Sequence, residues 1–150
     1  EPTANGGTPM CQAFTRAKTL IEGWLSQHSN SFPPIVINIT DGESTDGDPS
    51  NAASGLRGLT TQDGNVLLFN VHLSSQKANP ITFPDSDAAL PDQFAKLLFS
   101  MSSPLPSYMR NVAQQEGFPV SESTRGFAFN ADVVAVIQFL DIGTRPSNLR

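Results

Sequence analysis

The densest chemistry in the sequence lies in IVINITDGESTDGDP, where Asp41, Glu43, Asp46 and Asp48 follow directly on an apolar, β-branched run. Carboxylates at such a place can hold a hard divalent cation such as Mg²⁺, which prefers oxygen ligands and keeps several of its waters. Asp41 is the best placed of the four, because it closes the run and is opened to solvent by Gly42. A strand-ending turn is the plain alternative for Asp41-Gly42, since both residue types are common in turns. Thr8, in the glycine-rich NGGT ahead of a helix, offers a hydroxyl of the kind that shares such a site, and it also reads as a helix cap. Glu43, Asp46 and Asp48 read as a solvated acidic loop, with Asp48 capping the next helix. The spacing argues against a calcium loop of the EF-hand type, because its glycine falls sixth from the leading aspartate and Asp46 stands there.

The remaining reactive side chains point to ordinary roles. His28 ends a helix, where a cation complements the dipole, and His72 sits in a strand as a satisfied core or rim histidine. Cys11 lies within a helix without an evident base, and no serine is placed beside a histidine and an acid, so nucleophilic catalysis has no support. Trp24 and the phenylalanines read as core.

These side chains must be positioned by elements that the apolar spacing marks out. Thr8-Pro9 reads as a cap and first residue, and Met10, Phe14, Ala17, Ile21, Trp24 and Leu25 recur at three- and four-residue spacing, predicting a helix over 9–28. Residues 35–40 form a short, continuous β-branched strand of the kind covered on both faces. Further along, the pattern predicts a weak helix after Asp48-Pro49, a strand over 65–73, and helices over 92–101 and from 107 to a stop at Gly117. A short strand over 127–129 and an apolar helix over 131–141 capped by Asn130 complete the series. Between them, 74–91 is an irregular excursion too long for a plain connection. Its start is expected on the same side of the sheet as Asp41.

Strands alternating with helices predict an α/β domain, Rossmann-like, with a mainly parallel sheet flanked by helices. Only two strong strands and one short one are visible, so the sheet reads as incomplete. A chain of 150 residues fits a single domain. A net charge of −5 argues against nucleic acid and against an anionic membrane as partner. Cys11 is the single cysteine, which favours a reduced, cytoplasmic setting, and no run approaches the ~20 apolar residues of a membrane span. The start at Glu1, leading straight into a helix, reads as that of a fragment or processed piece.

GGTPM followed by an amphipathic helix and then PPIVINITDGES resembles the von Willebrand factor type A (VWA) domain. That family assembles a metal-ion-dependent adhesion site from three loops. Its second loop brings a threonine, matched here by Thr8, and its third an aspartate at the end of a core strand, matched by Asp41. GNVLLFNVHLS and GFAFNADVVAVIQFLDI extend the resemblance over most of the chain as a further strand and a last strand with its closing helix. The family's first loop, D-x-S-x-S after a central strand, has no counterpart. The nearest echo is PVSES at 119–123, with proline where aspartate is required.

The resemblance therefore implies residues 1–150 as one VWA-like domain lacking the family's N-terminal strands. It implies a divalent ion, Mg²⁺, Mn²⁺ or Ca²⁺, held by Thr8 and Asp41 once the first loop is supplied. It also implies a protein partner that completes the coordination with an acidic residue, in a bacterial, cytoplasmic, non-enzymatic binding module like those of tellurium-resistance clusters. The missing N-terminal segment could come from a separate chain. Two other readings remain beside it. One is a Mg²⁺-dependent phosphoryl-transfer or hydrolytic enzyme using Asp41, although ITDGEST lacks the leading aspartate of haloacid-dehalogenase-like phosphatases. The other is a structural domain with an incomplete metal site.

Overall fold

The computed structural model describes residues 6–75 and 77–144. The first helix, α1 (Met10–Leu25), turns Met10 and Phe14 into the core and leaves its outer face wet. Its end comes three residues before the predicted one, and Ser26 to Ser31 continue only as turns. β1 (Ile35–Thr40) follows with the predicted bounds, then α2 (Ser50–Arg57). A small hairpin of β2 (Thr60–Thr61) and β3 (Gly64–Asn65) precedes β4 (Leu67–His72), so the strand expected over 65–73 is divided in two.

The excursion after β4 contributes β5 (Ile81–Thr82), and α3 (Gln93–Met101), α4 (Ser107–Gln115), β6 (Phe127–Phe129) and α5 (Val133–Thr144) complete the chain. The sheet order is β1-β4-β6-β5, with β1, β4 and β6 parallel and β5 antiparallel at the far edge. This is a mixed α/β fold with a mostly parallel four-stranded sheet flanked by helices. Among the described residues no helix is long and apolar enough to cross a membrane.

Alternation along β4 explains the layering, since successive side chains on a strand point to opposite faces. Leu68 packs with Phe127 and Phe129 against α1, α2 and α3. Leu67, Phe69 and Val71 face the other way, onto Met109 and Ala113 of α4 and Phe139 and Ile142 of α5. All six residues of β4 are buried, which makes it the central strand. β1 has the composition of such a strand but holds the edge. Ile39 is 53% exposed, and among the described residues β1 pairs only with β4.

Two backbone features hold the second layer in place. A Cβ on Gly126 would lie 2.0 Å from the Phe69 ring, so only glycine lets the chain pass that side chain. Phe83 adopts a left-handed φ of 53° and is nonetheless buried, stacked on Phe139 at 5.0 Å. A bulky residue rarely takes that conformation, and here the aromatic packing offsets its cost.

Several expectations give way at the helix ends. Thr8 does not cap α1, and the Pro9 N-cap makes no side-chain bond. The first turn is instead closed from outside, by Asp46. Asn130 does not cap α5 either. It sits at a φ of 45° and accepts from Ser74 N at 2.6 Å, while Asp132 accepts from Ala135 N at 2.8 Å and does the capping. Trp24 is not core. It is 40% exposed and stacks on His28 at 4.4 Å.

Candidate functional site

The carboxyl ends of β1 and β4 lie side by side, with Thr40 in register with His72, and the loops that leave them form one rim. Ligands gather at such ends in open parallel sheets, because the loops diverge there. Thr40 starts the first loop by accepting from Gly42 N and donating to the Gly42 carbonyl at 2.8 Å, which folds Asp41 out into solvent.

The segment before α1 reaches the same place. Thr45 N donates to the Thr8 carbonyl at 2.9 Å, and Thr8 N donates to Thr45 Oγ1 at 2.9 Å. A Cβ on Gly42 would lie 3.4 Å from Thr8 Oγ1, so the threonine hydroxyl stands directly over the residue that follows Asp41. The two residues singled out in the sequence thus belong to two loops stitched together. Gly7 is part of the stitch, since a Cβ there would lie 3.4 Å from Thr45 Oγ1.

Asp46 supplies the strongest tie. Its two carboxylate oxygens accept from Cys11 N at 3.0 Å and Gln12 N at 2.9 Å, and Ser44 Oγ donates at 2.9 Å. A carboxylate is favoured where the positive end of a helix leaves amides unpaired. Partial desolvation pushes its pKa up, but the bonds from Gln12, Cys11 and Ser44 outweigh it and bring it from 3.8 to about 2. Asp46 is therefore a clamp between loop and helix rather than part of a solvated loop. Asp48 stands one residue before the Pro49 N-cap of α2, which has no side-chain cap, and its bonds from the Ser50 hydroxyl and amide hold its pKa below the ordinary value. Desolvation raises the pKa of the Cys11 thiol, which disfavours its thiolate.

On the other side of Asp41 lies a small cavity of about 180 Å³, lined by Asp41, Glu43, His72, Ser74, Asp92 and Phe94, among others. The start of the excursion, Ser74, does lie on Asp41's side of the sheet. His72 is 4% exposed, and its Nδ1 is buried without a hydrogen-bond partner. The imidazole is not satisfied, against expectation. Burial lowers its pKa, while the Thr40 backbone and then Asp92, Asp41 and Glu43 pull it back up. Asp92 is also the N-cap of α3, accepting from Ala95 N at 2.7 Å.

Sequence reasoning read His72 as a satisfied core or rim histidine and Asp92 as a helix start, and placed neither of them beside Asp41. The available signal was positional: His72 ends a buried strand, as Asp41 ends its neighbour. Among the described residues no group of three or more His, Cys, Asp or Glu side chains is placed to hold a metal ion. Comparison with family models, with curated proteins and with solved structures gives no match, so similarity names no family for this chain.

Proposed function

We propose that the chain is a VWA-like binding module in which Thr8 and Asp41 hold a divalent cation at the carboxyl end of β1, and that a partner protein docks by adding a carboxylate to it. The observation that carries this reading is the stitching of the Thr8 loop to the Asp41 loop, which brings an alcohol oxygen and an exposed carboxylate to one rim. Both are hard oxygen donors, and they fit Mg²⁺, which tolerates few protein ligands and retains water. Asp46 is instead spent on α1, where each of its oxygens accepts a backbone amide.

When bound, the cation would supply an electrostatic clasp for the partner's acid. Thr8 and Asp41 alone hold it weakly, and the open side of β1 is where further ligands have room to arrive. A strand added there would run beside Thr40 and deliver its own loop to the same rim.

The test is titration of the isotopically labelled chain with Mn²⁺. The expected outcome is selective broadening of the Gly7, Thr8 and Asp41–Glu43 amide signals, lost in Asp41→Ala and tightened by an acidic peptide. Broadening spread evenly over all the surface acids, or unaffected by Asp41→Ala, would defeat the reading.

A further inference from the structure

The amino end of the sheet carries the opposite chemistry. Arg57, the last residue of α2, borders a cleft of about 430 Å³ at the start of β4, with Ser54, Asn65, Leu67, Ser103 and Pro104 also in its wall. Its Nε is buried and has no hydrogen-bond partner. A second guanidinium, that of Arg125, is close enough that its charge adds to burial in lowering the pKa of Arg57. Arg125 is held in place by the Ser100 and Ser102 carbonyls, both at 2.9 Å, and by the face of Phe99 at 5.1 Å. Among the described residues no carboxylate pairs with either arginine.

This arrangement is costly as it stands. Two like charges repel, and a buried N–H without an acceptor forfeits its hydration. The negative end of α2 accounts for a positive charge at this place, but not for burying Nε without an acceptor. In a chain of net charge −5, an uncompensated cationic spot facing a cleft is informative. The planar fork of a guanidinium matches a carboxylate or phosphate with two parallel bonds.

The geometry points to a binding site for a small organic oxyanion, its carboxylate or phosphate taken by Arg57 and its apolar body lying against Val66, Leu67 and Pro104. The cleft falls within the size range of small-molecule sites, roughly 300–1,000 Å³, and exceeds what a bare inorganic ion fills. This site lies at the opposite end of the strands from Asp41 and does not depend on the metal reading.

The experiment titrates the labelled chain, in the presence of a chelator, with phenyl phosphate and separately with benzoate. Sodium chloride at equal ionic strength and neutral benzamide serve as controls. The expected result is a saturable shift of the Arg57 Nε–Hε signal with one or both anions, and no such shift with the controls. Arg57→Gln should weaken binding about tenfold or more, and Arg57→Lys should restore it only in part, because it returns the charge without the fork. Whichever of the two anions binds more tightly identifies the head group. The proposal is overturned if the wild-type Arg57 signal does not saturate, if chloride reproduces the shift, or if Arg57→Gln in a folded chain binds equally well.

Discussion

Asn70 and His72 stand two residues apart on β4, on the same face, in register with Asn38 and Thr40 of β1. Both are buried, at 0% and 4% exposure. Asn70 is fully engaged: its Oδ1 accepts from Asn38 Nδ2 at 2.9 Å, and its Nδ2 donates to Ser102 Oγ at 2.9 Å and to the Leu98 carbonyl at 3.2 Å. His72 leaves Nδ1 without a partner. One step of the pleat separates a polar group spent on tying β1, β4 and α3 together from one with a ring nitrogen the fold leaves unspent. Buried polar groups in native proteins are nearly all satisfied, so the exceptions mark places where something other than stability has shaped the chain. On β4 the exception falls on the rim, beside Asp41 and Asp92.

The largest effect should come from breaking the satisfied member. Asn70→Ala removes three side-chain bonds at once, strands the Asn38 amide and opens a small void. It should cost about 3 kcal/mol of stability, measured by urea unfolding with an unchanged m-value. A loss below about 1 kcal/mol would show that the bridge is incidental. His72→Phe, in contrast, removes an unpaired nitrogen from among Phe94 and Phe129 and should leave stability at pH 7 equal or improved.

Acid titration sharpens the contrast. Burial lowers the His72 pKa, so the unfolded chain binds its proton more readily than the folded one. The contribution of His72 is therefore full above pH 6.5 and lost as pH falls below that value. Asp46 acts lower, its contribution complete above 3.8 and lost as pH falls through about 2. A plot of the thermal midpoint against pH should show both slopes in the wild type. Only the lower should remain in His72→Phe, and in Asp46→Asn the upper should persist while the lower shrinks to the share carried by Asp48. If His72→Phe retains the upper slope, another group carries it.

How much of this could be read in advance follows from where each signal resides. β1 and β6 have the bounds that their apolar runs predict, because a continuous β-branched or aromatic run between turn residues is a local property. The alternation of strands and helices likewise led to the mostly parallel sheet. β5 was hidden, since two residues in a proline-rich excursion become a strand only through pairing with Phe129 and Ala128. The caps failed for the same reason. Asp46 closes α1 from 35 residues away, a distance at which no short motif can operate. The position of β1 at the edge of the sheet among the described residues accords with the low strand count, whereas the free nitrogens of His72 and Arg57 belong to three-dimensional surroundings that spacing does not encode.

The smallest expected effect on stability isolates the rim from the core most cleanly. Asp41 is exposed, and the turn around it is built by Thr40, whose hydroxyl bonds both polar groups of Gly42. Asp41→Asn keeps the size and turn preference of the residue while removing its charge. The thermal midpoint and the unfolding slope should match the wild type, in contrast to Asp46→Asn five positions along the same loop, which lowers the midpoint by loosening α1. Selective Mn²⁺ broadening at Thr8 should nevertheless disappear, because the amide oxygen is a far poorer ligand than the carboxylate. If Asp41→Asn instead unfolds the rim, seen as lost protection of the Thr45 amide that Thr8 binds, Asp41 is a structural turn residue and the division between the two carboxylates fails.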